Sequence, residues 1–435
     1  MKLTANQVMK SAPGGAYMPA GSPSTEIDGA FVDSRDVVDG ALFVGLRGET
    51  QDGGLYAADA LRDGAAAAVV SESAWRWLEG DLRTIRKPVI VAKSPLEVLQ
   101  SAGRLALEQL GARVVGITGA TGKTTTKDIL VAMLRGAGAR VEGTPGNRNT
   151  EIGVPMALMA LADDTEIAVV EMGMRGLGQI AELARLAPPD VGCITSIGPV
   201  HLELLGTVEN VAAAKFELLA ALKPGSTAVV PAADRYLQAH LQTLDPQVRV
   251  LEFGDEPDLD LDLNLATAWQ RRCAAAALAC CRALDRVPPA GAEIDVTLSA
   301  MRGNIRPLAV GGTLIEDCYN ANPIAMHAAL ADLAGRDGRR VAVLADMMEL
   351  GPDEAAYHRE IGAAAGAAGV ELLIAIGERA GGYIDGAPGV ETLHYPTVDE
   401  AVAAVPAVLR PGDVVLLKGS RSMALERVAA VIAAN

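Results

Sequence analysis

Short apolar runs alternate with Ala/Leu-rich stretches along most of the chain. They are RVVGITG from 113, EIAVVEMG from 166, DVGCITSIG from 190, TLIEDCYN from 313, RRVAVLADM from 339, VELLIAIG from 370 and DVVLLKGS from 413. A strand that is apolar on both sides must be covered on both faces, and helices between successive strands supply that cover. The pattern predicts the α/β class, with two parallel sheets, one in the middle of the chain and one at its end. Between them, RVPPAGAEID at 286–295 is expected to start a linker, because Pro and Gly interrupt both periods. The first 94 residues differ. Their short β-like runs (AFVDSRDV, ALFVGLRGE, AAAAVVSE) are separated by Gly and Asp, which predicts a small α/β domain of its own. No period of about 20 to 50 residues repeats, which argues against solenoids and propellers.

A chain of 435 residues, half of them hydrophobic, has material for about three domains at roughly 150 residues each. Its 54 acidic and 38 basic side chains leave a formal charge of −16. Such a chain lacks the cationic surplus that neutralises a phosphate backbone, so nucleic acid and anionic membranes are not expected partners. Any anionic ligand must be held by a local site. Apolar stretches such as GAAAGAAGV at 362–370 fall far short of the ~20 residues of a membrane span, and MKLTANQVMKSAPGG lacks the apolar core of a secretory signal. A cytoplasmic protein is the expectation. The five cysteines include no CxxC pair and the five histidines show no zinc spacing, so buried free thiols are expected.

The sharpest local signal is VVGITGATGKTTTKDIL, a strand entering a glycine loop followed by Lys123 and three threonines that open a helix. Backbone N–H groups of such a loop and helix N-terminus point at an anion. Lys123 is expected at the terminal phosphates and Thr124 at a magnesium ion. The spacing is the short GxxGKTT form with Gly119 and Gly122, since Ile117 stands where the first glycine of GxxxxGK would be. The alternative is an ordinary turn with a solvated lysine, and the apolar strand before it argues against that. Phosphoryl transfer also calls for a metal-binding carboxylate at the end of a neighbouring strand. Glu171, after Ile167-Ala168-Val169-Val170, fits, and Gly173 beyond it would allow close backbone approach to phosphate. His201, in SIGPVHLELLG, lies in the loop after another strand, where site residues of open α/β sheets collect. Lys215, within VENVAAAKFELLAALK, reads as a solvated helix lysine on its own.

Taken in order, GITGATGKTTT, GNRNTEIGVP, EMGMRG, TSIGPVHLELLG, EDCYNANP, VLADMMELG and VVLLKGSRSM are similar to the motifs of the Mur ligase family, and the resemblance extends over FVDSR and RGETQDGG to nearly the whole chain. It implies three domains. These are residues 1–94 for a UDP-sugar substrate, residues 95–300 as a P-loop ATPase-like domain, and residues 301–435 as a Rossmann-like ligase domain. YNANP followed by MMELG resembles the member of that family that joins D-alanyl-D-alanine to UDP-N-acetylmuramoyl-tripeptide in peptidoglycan precursor synthesis. The implied chemistry is ATP-dependent amide formation through an acyl phosphate, with Mg²⁺ as cofactor and a monomer as the working state. Two other readings stay open: a ligase of this fold with another amino acceptor, and a catalytically weak nucleotide-binding relative.

The resemblance assigns Gly119, Thr121, Gly122, Lys123, Thr124 and Thr125 to the phosphates, Thr124 and Glu171 to one Mg²⁺, and His201 to another. It implies that Lys215 is carbamylated, which would turn a cation that repels metal into an anionic oxygen donor. Ser34 and Arg35 match the uracil-nucleotide side, and Asn147 and Asn149 the central substrate cleft. Arg302, Asp317, Asn320 and Asn322 match the nucleotide-facing edge of the last domain, and Lys418, Ser420 and Arg421 its C-terminal motif. The chain departs from the family where a His-Asn pair is usual, carrying Trp269 and Gln270 instead, with Gln270 expected to seat adenine through its amide. The segment before that pair is short, and Glu316, Cys318 and Ala345 replace more usual residues.

Overall fold

The apolar runs form strands where their pattern predicts them. In the computed structural model, which describes residues 2–434, they build the middle and last sheets of the chain. The middle sheet is six-stranded and entirely parallel. Its order is Arg249–Phe253, Thr227–Pro231, Val191–Ile194, Arg113–Thr118, Ile167–Glu171, Val141–Gly143. The first strand in sequence, Arg113–Thr118, thus lies inside the sheet: the chain passes from it to the edge strand Val141–Gly143, returns to Ile167–Glu171 beside it, then crosses to Val191–Ile194 and builds outward on the other side. That reversal opens a crevice at the carboxyl ends of the strands flanking it, the usual ligand position in such sheets. Glu171 is in register with Ile117 on one side, and Ile194 with Thr118 on the other.

The last sheet is also six-stranded. Its edge strand Asn304–Pro307 runs antiparallel to Gly312–Glu316, and Asp413–Lys418, Arg339–Ala345, Leu372–Ile376 and Glu391–Tyr395 follow in parallel. The N-terminal sheet has five strands, with Ala16–Ala20 antiparallel at one edge and Val89–Ala92, Ala67–Ser71, Leu42–Val44 and Ala30–Phe31 parallel beyond it. No helix of the described residues is long and apolar enough to cross a membrane.

Two helix contacts set the architecture around the crevice. Helix Ala268–Ala283 packs along helix Lys123–Gly136 and buries Ala274, Ala275, Ala276 and Ala277 in the core that both share with the middle sheet, where small side chains allow close approach. Cys193, Cys273, Cys280 and Cys281 lie in the same core, and all five cysteines are free and buried, as their spacing predicts. Helix Pro95–Leu110 starts on a Ser94 cap with proline in its first turn. Its Val98, Leu99 and Ala102 join a core with Val69 and Ile90 of the N-terminal sheet and with Met156 and Met159 of helix Gly153–Met159. The helix therefore cements the first sheet to the middle one.

The stretch 286–295 is more than a linker. Ala292–Ile294 pairs in parallel with Leu261–Leu263, and the Asn264 amide, which donates to Asp295 and accepts from the Val296 N–H, locks the pair. Ile294 then packs on the middle core. The Pro-Pro-Ala-Gly turn was visible in the sequence, whereas a three-residue strand is too short to show a period.

Gly103 has no room for a side chain, since a Cβ there would stand 2.6 Å from Pro155 Cα. Gly103→Ala is expected to destabilise the junction of the first two domains by about 1 to 3 kcal/mol, read as a lower urea midpoint.

Candidate functional site: a cavity between the middle and last domains

The phosphate loop is shaped by contacts that only glycine permits. Gly119 has φ +156°, and a Cβ there would lie 1.9 Å from Thr195 Oγ1. Gly122, at φ +87°, caps helix Lys123–Gly136 without any side-chain hydrogen bond, and Trp269 and Cys273 crowd its other face. The loop is pinned from the next strand. Ala120 N–H donates to Ser196 O (2.9 Å), Thr121 N–H to Ser196 Oγ (3.0 Å), and Thr195 Oγ1 donates to Thr121 O (2.6 Å). The N-terminal amides of the helix are left facing the crevice, where the helix dipole favours an anion.

Around this terminus the side chains form one connected set. Thr124 Oγ1 donates to Glu171 Oε2 (2.8 Å), and Asn149 Nδ2 donates to Glu171 Oε1 (2.7 Å). From the last domain, Arg302 Nη2 donates to Thr124 Oγ1 (3.1 Å), while its guanidinium lies 3.7 Å from the centre of the Tyr319 ring. Arg302 Nε is buried with no partner in the protein, a donor left over for a ligand. Lys123 Nζ donates to Gly119 O (2.8 Å). Burial lowers the Lys123 pKa, Glu171 opposes the shift and Arg302 adds to it.

Lys215 overturns its solvated reading. It is only 2 % exposed, and burial, reinforced by Lys123, pulls its ammonium pKa well below the ordinary lysine value. His201 sits at φ +54°, and its Nδ1 lies 2.5 Å from Glu349 Oε2 of the last domain. Burial lowers the imidazole pKa; Glu349 opposes that and Lys215 adds to it.

These groups line one cavity of about 980 Å³ between the middle and last domains. It collects the loop residues from Thr121 to Thr125, Asn147, Asn149, Glu171, His201 and Lys215 from the middle domain. The last domain contributes Arg302, Asp317, Asn320, Asn322 and Lys418, and Trp269 and Gln270 close one side. In a chain of net charge −16, Lys123 and Arg302 meet Glu171 here, at the N-terminus of the helix. The arrangement suits a polyanion.

Family models for the Mur ligase middle domain, the Mur ligase glutamate ligase domain and the Mur ligase family catalytic domain match residues 117–272, 301–421 and 26–107. The chain belongs to the Mur ligase family. A UDP-N-acetylmuramoyl-tripeptide--D-alanyl-D-alanine ligase of Synechocystis sp. is 35% identical to this Mur ligase, over 95% of the chain and 94% of its own length. The enzyme of that name from Bacillus subtilis is 31% identical, over 93% of each chain. Among solved structures, MurF from Acinetobacter baumannii superposes with a TM-score of 0.84 at 26% identity, covering 99% of this chain and 98% of that one. MurF ligase from Thermotoga maritima in complex with ADP gives 0.79 at 27% identity, covering 92% and 96%. This Mur ligase shares their three-domain α/β fold.

Some residues singled out in the sequence lie elsewhere or are already engaged. Ser34 and Arg35 lie in the N-terminal domain and do not line this cavity; Arg35 is exposed and forks onto Asp33. Arg421 pairs with Glu426 (2.7 Å), and Ser420 Oγ accepts the Met348 N–H (3.0 Å). Lys418 Nζ is held by Asp317 Oδ2 (2.6 Å) and Asn320 O (3.1 Å), joining two strand ends. Asn322 Oδ1 caps helix Pro323–Ala334. The Gln270 Oε1 accepts the Ala266 and Thr267 N–H groups, and Nε2 reaches Arg302 O at 3.4 Å, so its amide closes a helix cap. Beside Gly173 stands Asn149, whose Oδ1 is 2.8 Å from where a Cβ would be, so this glycine makes room for the partner of Glu171, and it lines the cavity as well. The sequence reading did not single out Glu349 or Tyr319, which act through partners far away in the chain.

Because the Lys215 pKa is lowered on folding, the unfolded chain binds more protons between the folded and unfolded values, and stability rises with pH across that window. In carbon-dioxide-free buffer, Lys215→Met is therefore expected to stabilise the protein more at about pH 7 than at about pH 10, compared by urea midpoints.

Proposed function

We propose that this Mur ligase joins D-alanyl-D-alanine to UDP-N-acetylmuramoyl-tripeptide at the expense of ATP, in peptidoglycan precursor synthesis. One observation carries the reading: an uncapped helix N-terminus, a strand-end carboxylate and cations from two domains face a single cavity. The relatives' names and the ADP-bound neighbour support the choice of substrates and nucleotide.

A carboxylate does not condense with an amine because its oxygen is a poor leaving group. In the proposed route the peptide carboxylate attacks the γ-phosphorus of ATP, and ADP departs with the electron pair of the broken P–O bond. The amine of D-alanyl-D-alanine then attacks the acyl carbon, loses a proton, and expels inorganic phosphate. The helix amides at residues 122–125 and Lys123 hold the phosphates, and Arg302, with its free Nε, offsets charge on the group in transit. Enclosure between two domains keeps water from the acyl phosphate. On this reading Asn147 and Asn149 border the peptide, Ser34 and Arg35 serve the uridine end, and Asp317, Asn320, Lys418, Ser420 and Arg421 shape the edge facing nucleotide and acceptor. Gln270 and Trp269 border the base.

Among the described residues no cluster of three His, Cys, Asp or Glu side chains is set to hold a metal ion. That suits Mg²⁺, which takes one or two protein oxygens and completes its shell with water and substrate phosphate. The Thr124 hydroxyl and Glu171 carboxylate, 2.8 Å apart at the helix terminus, are a fitting oxygen pair. Mg²⁺ bound there would neutralise phosphate charge and polarise the phosphorus. Lys215 fits a metal only as a carbamate, and a buried amine with a depressed pKa is the form that adds carbon dioxide.

Incubation with UDP-N-acetylmuramoyl-tripeptide, ATP, Mg²⁺ and a panel of amines is expected to release phosphate with D-alanyl-D-alanine and yield the corresponding amide by mass. Release with a different amine alone would refute the acceptor, and silence in every arm the ligase reading. Lys123→Ala is expected to abolish turnover while the urea midpoint stays near wild type, since the side chain serves the cavity and not a core. Activity of the parent protein is expected to fall in bicarbonate-depleted buffer, and no such dependence together with an unmodified Lys215 in a high-resolution map would remove the carbamate.

A further inference from the structure

Outside the reacting groups, one contact joins the two domains at the site itself. The loop after strand Arg339–Ala345 carries Glu349 in the left-handed region, at φ +64°. Opposite stands His201, also left-handed, as the residue just before the one-turn helix Leu202–Leu205. Neither residue is Gly or Asn, and side chains disfavour that region, so surrounding contacts must hold them there. They do so mutually. Glu349 uses its carboxylate on His201 Nδ1 (2.5 Å) and its backbone carbonyl on Leu202 N–H (2.9 Å), with Arg175 Nε 3.9 Å from the other carboxylate oxygen.

The loop bearing Glu349 is itself anchored. The buried His358 accepts the Met347 N–H through Nε2 (3.1 Å) and faces Glu354 O through Nδ1 (2.8 Å), while Ser420 accepts the Met348 N–H. Beside it, Ile324 of the last domain fills the space next to Gly198. The turn at His201 is therefore formed against a rigid surface of the other domain. A carboxylate can only accept, so the hydrogen in the His201 contact belongs to Nδ1, and in the neutral ring, the form that burial favours, Nε2 keeps its lone pair.

We propose that Glu349 is a positioning residue: it clasps His201 across the domain junction, fixes the imidazole as the Nδ1–H tautomer, and so sets this side of the cavity only when the middle and last domains are together. The inference rests on the cavity being the ligation site, but its first test does not. In ligand-free protein, imidazole ¹⁵N spectra, with the His201 signal assigned by its loss in His201→Gln, are expected to show Nδ1–H in the wild type. Glu349→Ala is expected to shift that signal to the Nε2–H form, whereas Glu349→Gln, whose amide oxygen accepts the same hydrogen, retains it. The Leu202 to Glu349 backbone bond survives both changes, which separates the clasp from loop packing.

In turnover, kcat of Glu349→Ala is expected to fall about 10- to 100-fold with KM for ATP little changed, and Glu349→Gln to recover most of the rate. Wild-type His201 in the Nε2–H form, an unshifted signal in Glu349→Ala, or kcat unchanged in that variant would each overturn the proposal. Should the Ala variant not fold, Glu349→Asp, one methylene short of contact, carries the same comparison. A tautomer that shifts as expected in a protein without ligase turnover would uphold the clasp and sink only the proposed reaction.

Discussion

A concentrated negative charge has to be neutralised inside an acidic protein, and the rest of the structure is arranged around that constraint. The chain as a whole repels polyanions, with a net charge of −16. The answer is local: helix Lys123–Gly136 points its uncapped N-terminus into the crevice of the middle sheet, and Lys123 and Arg302 converge there. Burying these two cations is unfavourable by itself, and burial lowers the Lys123 pKa. The groups that hold them, from Gly119 O to the Thr124 and Glu171 pair, confine that unfavourable arrangement to the point where an anion relieves it.

The second theme is that much of the site is scaffolding. Residues whose types suggest ligand contact turn out to hold the frame. Ser420 and His358 pin the loop bearing Glu349, Asn322 starts a helix, Lys418 ties two strand ends together, and Gln270 caps the helix that carries Trp269. This division follows from the geometry of an open sheet, whose strand ends supply side chains pointing into the crevice but nothing to keep their loops in place. Polar side chains that bond backbone N–H groups perform that task, since a loop amide left unpaired in the interior costs as much as a lost hydrogen bond.

The domain junction matters for the same reason. Arg302 reaches Thr124, Glu349 reaches His201, and Ile324 fills the space at Gly198, so the last domain completes a surface that the middle domain only begins. Each contact is made between residues more than a hundred positions apart in the chain. The half around the glycine loop is local, built from one strand, one loop and one helix; the other half exists only through docking.

That difference separates what was legible from what was not. The sequence by itself determined the long apolar strands of the middle and last sheets, the buried thiols, the glycine loop that opens a helix at Lys123, and Glu171 at the end of a neighbouring strand. Each is expressed in a period, a spacing or a short motif, and depends on neighbours along the chain. Only the tertiary structure decided that Lys215 is buried beside Lys123, that Asn149 packs against Gly173, that 292–294 is a strand, and that His201 answers to Glu349. Burial, hydrogen-bond partner and shifted pKa are properties of a side chain's surroundings, and those surroundings are assembled from segments that share no periodicity with it.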